Sequence, residues 1–148
     1  MKMERRVDLM RLEWIVLAVF MVGGSLPALA ADEFLKGVYL QSEELCAQAR
    51  NDGIQAVIEA GNVLLTSRGL ESVEYNCEFL QVTRAKRSPA WAVTALCQQP
   101  GYLFPDVLSV LEMSPTQIDV VSVKPADEDS GNAGNTGSYH FCEGVSLP

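Results

Sequence analysis

Four cysteines, one histidine and a few late carboxylates are the residues on which chemistry could be built in this chain of 148 residues. Cys46, Cys77, Cys97 and Cys142 form no Cys-x-x-Cys pair, so thiol–disulfide exchange is not indicated. His140 and Cys142 share a face by the two-residue period of a strand, the beginning of a zinc site. A bridged Cys142 cannot act as a thiolate ligand, however, and His140 reads as a residue on the exposed side of an edge strand. Residues 127–132, Asp-Glu-Asp-Ser-Gly-Asn, resemble a calcium loop in composition only. Glycine stands at the fifth position instead of the sixth, and no acid stands at the twelfth. Asp106, Glu112 and Asp119 flank the late strands, and a carboxylate pair held about 5–9 Å apart can cleave a glycosidic bond. With no sign that they converge, they read as solvated strand ends. Phosphate-cradling glycine loops, nucleophile elbows and His-Glu-x-x-His helices are absent from the sequence. The reading is therefore of no catalytic residue, no metal and no cofactor.

Binding is better supplied than catalysis. Tyr102, Leu103 and Phe104 are crowded between Pro100-Gly101 and Pro105-Asp106. On a rigid loop such side chains form either a binding anchor or a plug for an open end of a sheet. Arg84, Lys86 and Arg87 make a basic cluster on a predicted hairpin tip, where they could meet phosphate groups of envelope glycolipids but read first as a soluble turn.

The positioning elements begin after a leader. Lys2, Arg5, Arg6 and Arg11 precede an uncharged apolar run over 14–22, followed by Gly23-Gly24-Ser25, Pro27 and Ala28-Leu29-Ala30. That is the order of a cleavable signal peptide, residues 1–30. The run is interrupted before the roughly 20 apolar residues of a spanning helix, so no membrane span is expected after cleavage. Glu4, Asp8 and Glu13 make the basic region long and mixed, which raises Met10 as a second candidate start. Residues 31–148 are left as a single domain. The leader holds four of the eleven basic and three of the nineteen acidic residues, so the remainder carries seven against sixteen, about −9. Nucleic acid and anionic lipid are poor partners for that balance, whereas a cationic protein or envelope component is permitted. Export places the domain in the periplasm or outside the cell, and an even cysteine count there reads as two disulfides.

Within that domain Ser42, Glu43, Glu44 and a run to Arg50 before Asn51-Asp52-Gly53 carry the start and stop signals of one short helix. Ala56-Val57-Ile58 and Val63-Leu64-Leu65 around Gly61-Asn62 read as two strands and a turn. Residues 73–79 alternate apolar and polar as a strand with one buried and one wet face, and Leu80 and Val82 change phase, the mark of a bulge or of burial on both faces. Residues 84–89 form a turn, and residues 91–97 return. Further strands are expected at 107–113, 118–123 and 139–142, with a mobile surface loop over 125–138. The fold class is mainly β: a curled antiparallel meander or small barrel with one short N-terminal helix, an α+β layer sandwich being the alternative. Three cysteine pairings exist. Cys46–Cys77 with Cys97–Cys142 is favoured, because it ties the helix and the last strand to the sheet centre; a cross-strand Cys77–Cys97 link is geometrically allowed but tight.

The order Gly37-Val38-Tyr39, Cys46, Tyr75-Asn76-Cys77-Glu78-Phe79, residues 91–97, then Tyr139-His140-Phe141-Cys142 resembles that of uncharacterised small secreted bacterial β-proteins with four cysteines. A fainter likeness is to periplasmic lysozyme inhibitors, some of which present a Ser-Gly-x-Arg-Tyr loop, echoed by Gly137-Ser138-Tyr139 without the arginine. That resemblance brings no catalytic residue with it; export, a disulfide framework and the absence of a catalytic constellation point to a non-catalytic envelope protein that binds a partner or ligand. A lysozyme-type hydrolase inhibitor using acidic loops such as 127–129 is the narrower alternative, and an enzyme of unrecognised type the third.

Overall fold

A computed structural model describes residues 34–124 and 135–147. Among them eight strands close into an antiparallel barrel in which every strand pairs with its sequence neighbours and β8 returns to β1. The strands are β1 Tyr39–Leu40, β2 Leu64–Thr66, β3 Gly69–Glu71, β4 Asn76–Arg84, β5 Ala90–Gln99, β6 Tyr102–Ser114, β7 Gln117–Ser122 and β8 Gly137–Phe141. Two helices, α1 Glu43–Asp52 and α2 Ile54–Glu59, lie between β1 and β2. The sequence-predicted leader, residues 1–30, lies outside the described residues, as does most of the expected surface loop. No helix among the described residues is long and apolar enough to cross a membrane.

Alternation builds two cores. Inward-facing Tyr39, Leu65, Leu70, Val93, Ala95, Leu108, Val110, Ile118 and Val120 fill the barrel. Their outward neighbours Leu40 and Leu64 join Val38, Ala49, Ile54 and Val57 in a second cluster between the barrel wall and the helices. The period of two thus gives β1 and β2 two buried faces. Helix α1 starts at the expected cap, where Ser42 Oγ accepts from the Leu45 amide at 3.2 Å. Gly69 is demanded by a close approach: a Cβ there would stand 1.8 Å from the Cys77 carbonyl oxygen on β4.

Several sequence expectations need correction. Residues 54–59 form a helix, not a strand. Gly61-Asn62 is its stop signal, with Gly61 at φ 86° donating to the Ile58 carbonyl and Asn62 Nδ2 to the Val57 carbonyl. Six residues with four apolar side chains, Ile54, Ala56, Val57 and Ile58, are too few for periodicity to separate helix from strand, and burial of Ile54 and Val57 against the outer barrel wall decides it. Tyr102, Leu103 and Phe104 open the long strand β6, paired to Gln99, Gln98 and Cys97, and do not form a loop. The loop expected over 125–138 ends early, since Gly137 and Ser138 belong to β8 and Asn135 is 3% exposed.

The favoured disulfides are also wrong. The bridges are Cys46–Cys142 and Cys77–Cys97. Cys77 and Cys97 face each other across the β4–β5 ladder, both inside the barrel, with Cα atoms 3.9 Å apart. Closure supplies the other pair: β8 lies beside β1, so Cys142 arrives next to the helix that carries Cys46. In an open meander those two would have been distant. The phase change at Leu80 is borne out by a register shift between Phe79 and Gln81, and the 84–89 hairpin by the Arg84–Trp91 pair.

Candidate functional site

Register sends the inward side chains of the barrel to two different mouths. At one, the chain enters through Phe34, Leu35 and Lys36, while Trp91 stands second in β5, β6 ends at Ser114 just past Glu112, and β8 ends at Phe141. These residues, with Tyr39, Pro115 and Ile118, line a cleft of about 240 Å³. Its walls are rings. Phe34 meets Trp91 edge-on at 5.6 Å between centroids, and Tyr39 lies tilted against Phe141 at 5.4 Å. Phe34 also packs on Phe79 at 5.9 Å, which fixes its orientation. Burial pushes the Tyr39 phenol pKa above its ordinary value; the Glu112 charge adds to the rise, while a backbone hydrogen bond at Lys36 opposes it. The field of Glu112 therefore reaches the floor of the cleft, and Lys36 supplies the opposite charge at its rim.

The other mouth is closed by polar groups. Asp106, 2% exposed, points inward from β6. Its carboxylate accepts from its neighbour's amide, Val107 N–H, at 2.8 Å and from Asn135 Nδ2 at 2.7 Å. Ser122 Oγ from β7 lies 2.8 and 2.7 Å from the two carboxylate oxygens. Tyr75 donates to Asn135 Oδ1, and Asn135 Nδ2 lies 3.4 and 3.5 Å from the sulfurs of the Cys77–Cys97 bridge. The acid is satisfied by its surroundings, as a buried polar group must be. Above it Phe104, 6% exposed, stacks with Tyr102 at 5.4 Å, and the Lys124 ammonium sits 3.5 Å from the Phe104 ring centre. A broader depression of about 540 Å³ lies outside this mouth, lined by Tyr75, Asn135 and Tyr139 with a mixture of polar and apolar residues.

Sequence-predicted site residues are thereby dispersed. Phe104 fills the polar mouth, whereas Leu103 points out from the barrel wall and is 58% exposed. Asp106, Glu112 and Asp119 do not meet: Asp106 and Glu112 are six residues apart on one strand, about 20 Å at strand rise, and Asp119, opposite Leu111 and so beside Glu112 in the ladder, turns to the outer face between inward Ile118 and Val120 and accepts there from Ser138 Oγ. Asp106 is also no solvated strand end, because the period of two turns it inward beside Phe104 and Leu108. His140 is half-buried on a strand paired on both sides, so it lies on no edge. Among the described residues no three of His, Cys, Asp and Glu gather at a metal position. Residues 127–129 lie outside the described residues. The aromatic cleft escaped sequence reasoning: Phe34, Tyr39, Trp91 and Phe141 come from four separated segments, and the aromatic ends of β1, β5 and β8 were its only local signal.

The site-bearing body is thus a closed eight-stranded antiparallel barrel with two outer helices and two disulfides. Neither the protein-family models, nor the curated proteins, nor the solved structures contain a match to this chain.

Proposed function

We propose that this is an exported, non-catalytic protein of the periplasm or extracellular space that binds a cationic protein partner through the aromatic cleft. The observation that carries the reading is the cleft itself, a concave slot with four ring walls and a carboxylate at its edge. Such sites are built to bury a flat or slender group and orient it with few polar contacts. The charge of about −9 on residues 31–148 supports a cationic partner through long-range attraction. Separation of Asp106 from the other two along β6, with Glu112 and Asp119 turned to opposite faces of the wall, supports binding over carboxylate-pair hydrolysis.

Capture from envelope extract tests this, with Trp91→Ala and the pair Tyr102→Ser/Phe104→Ser as variants at the two mouths. A partner retained by the parent and lost with Trp91→Ala supports the cleft. Retention by Trp91→Ala with loss in the Tyr102/Phe104 pair moves the site to the polar mouth. The lysozyme-inhibitor reading is a special case of the same acidity, and an absence of inhibition of c-type and i-type lysozymes at large molar excess removes it.

A further inference from the structure

The geometry points to an arginine side chain of the partner as the occupant of the aromatic cleft, held by ring faces and by the Glu112 carboxylate; this rests on the cleft being the binding site. Three observations lead there. The slot, about 240 Å³, suits one side chain better than a folded ligand. Its walls include the rings of Phe34, Tyr39, Trp91 and Phe141, packed edge to face and tilted against one another, so the lining is largely aromatic. One carboxylate, Glu112, is exposed at the rim and near enough to raise the pKa of the Tyr39 phenol.

A guanidinium fits that combination for physical reasons. It is planar and weakly hydrated, so it enters an apolar slot and stacks on rings at less cost than an ammonium does. It also offers paired N–H donors that a carboxylate accepts together. Lys36 is the contrary feature, since its positive charge lines the same cleft. Arginine as occupant makes that charge an opponent of binding, whereas an anionic or zwitterionic occupant would use it. The two rim charges therefore report the sign of the ligand.

The test uses Nα-acetyl-argininamide and its citrulline counterpart, a neutral analogue of the same shape, as probes. In a Trp14→Phe background Trp91 is the single tryptophan of the chain, so its fluorescence reads cleft occupancy directly. Saturable binding of the arginine probe is expected, with the citrulline probe weaker by about tenfold and Glu112→Gln removing most of that difference. Lys36→Gln should tighten the arginine probe by about threefold. Both variants change exposed side chains, and circular dichroism with unfolding midpoints verifies that they fold. Equal binding of the two probes, an indifferent Glu112→Gln, weaker binding by Lys36→Gln, or no saturable response at the solubility limit each overturns the proposal. Partner capture that depends on Trp91 but not on Glu112 would retain the cleft as the binding site and remove arginine as its occupant.

Discussion

The two mouths of this barrel are made from the same strands and solve opposite problems. Around Asp106, hydrogen bonds from Asn135, Ser122 and the Val107 amide leave the carboxylate satisfied without a ligand. Around Trp91, aromatic rings enclose a space and a charged carboxylate stays at its edge. A buried polar group with all its partners rigidifies a core, while an apolar concavity left open gains from being filled. The first mouth is read as structural and the second as functional, although the acid-bearing one looks at first the more chemical.

That contrast can be broken most directly at Asp106. Asp106→Ala leaves the buried Asn135 amide without its carboxylate acceptor and removes the Ser122 and Val107 contacts, and the unfolding free energy should fall by about 3 kcal/mol in urea titration. A loss below about 1 kcal/mol would mean that this mouth does not hold the fold together.

A second effect is smaller and comes with pH. Burial, with a minor push from Tyr75, holds the Tyr139 phenol up to about 12, against about 10 in the unfolded chain. The folded state keeps its proton longer, so this stabilisation is fully present below pH 10 and is lost as pH rises from about 10 to about 12. The loss is on the order of 2 kcal/mol, and Tyr139→Phe should flatten that part of the stability–pH curve. Tyr75, beside Asn135, has its pKa raised chiefly by burial as well. Unchanged alkaline slopes in Tyr139→Phe would show that the polar mouth does not govern the alkaline limit.

The smallest effect belongs to the aromatic mouth. Glu112→Gln should change the unfolding free energy from urea titration by no more than about 0.5 kcal/mol, the range of an exposed substitution. A larger loss would make Glu112 part of the scaffold and erase the division between the two ends.

Several local elements were legible from residues alone. Ser42 with the acids behind it located the start of α1, and the alternation over residues 73–79 pointed to the wall that becomes β4, although that strand begins only at Asn76 and Val73, expected on the buried face, is exposed. The bulge after Phe79 was written in the phase change of Leu80 and Val82. Each rests on local physics, a cap or a period, that the chain expresses wherever it folds. Helix α2 was not legible, because its apolar residues suit either state until the outer wall of β1 and β2 gives them one face to cover.

What the sequence alone determined is the binary pattern: which faces of the strands turn inward, where the chain turns, and that its cysteines are available for two bridges. Tertiary structure decided the rest. Pairing of β8 with β1 brought Cys142 to Cys46 and made two mouths out of a meander. The same closure carried Phe34, Tyr39, Trp91 and Phe141 to one cleft and Asp106, Ser122 and Asn135 to one buried cluster. The reason is separation along the chain. Contacts between residues tens of positions apart carry no local period or cap, and they exist only once the register of every intervening strand has been set.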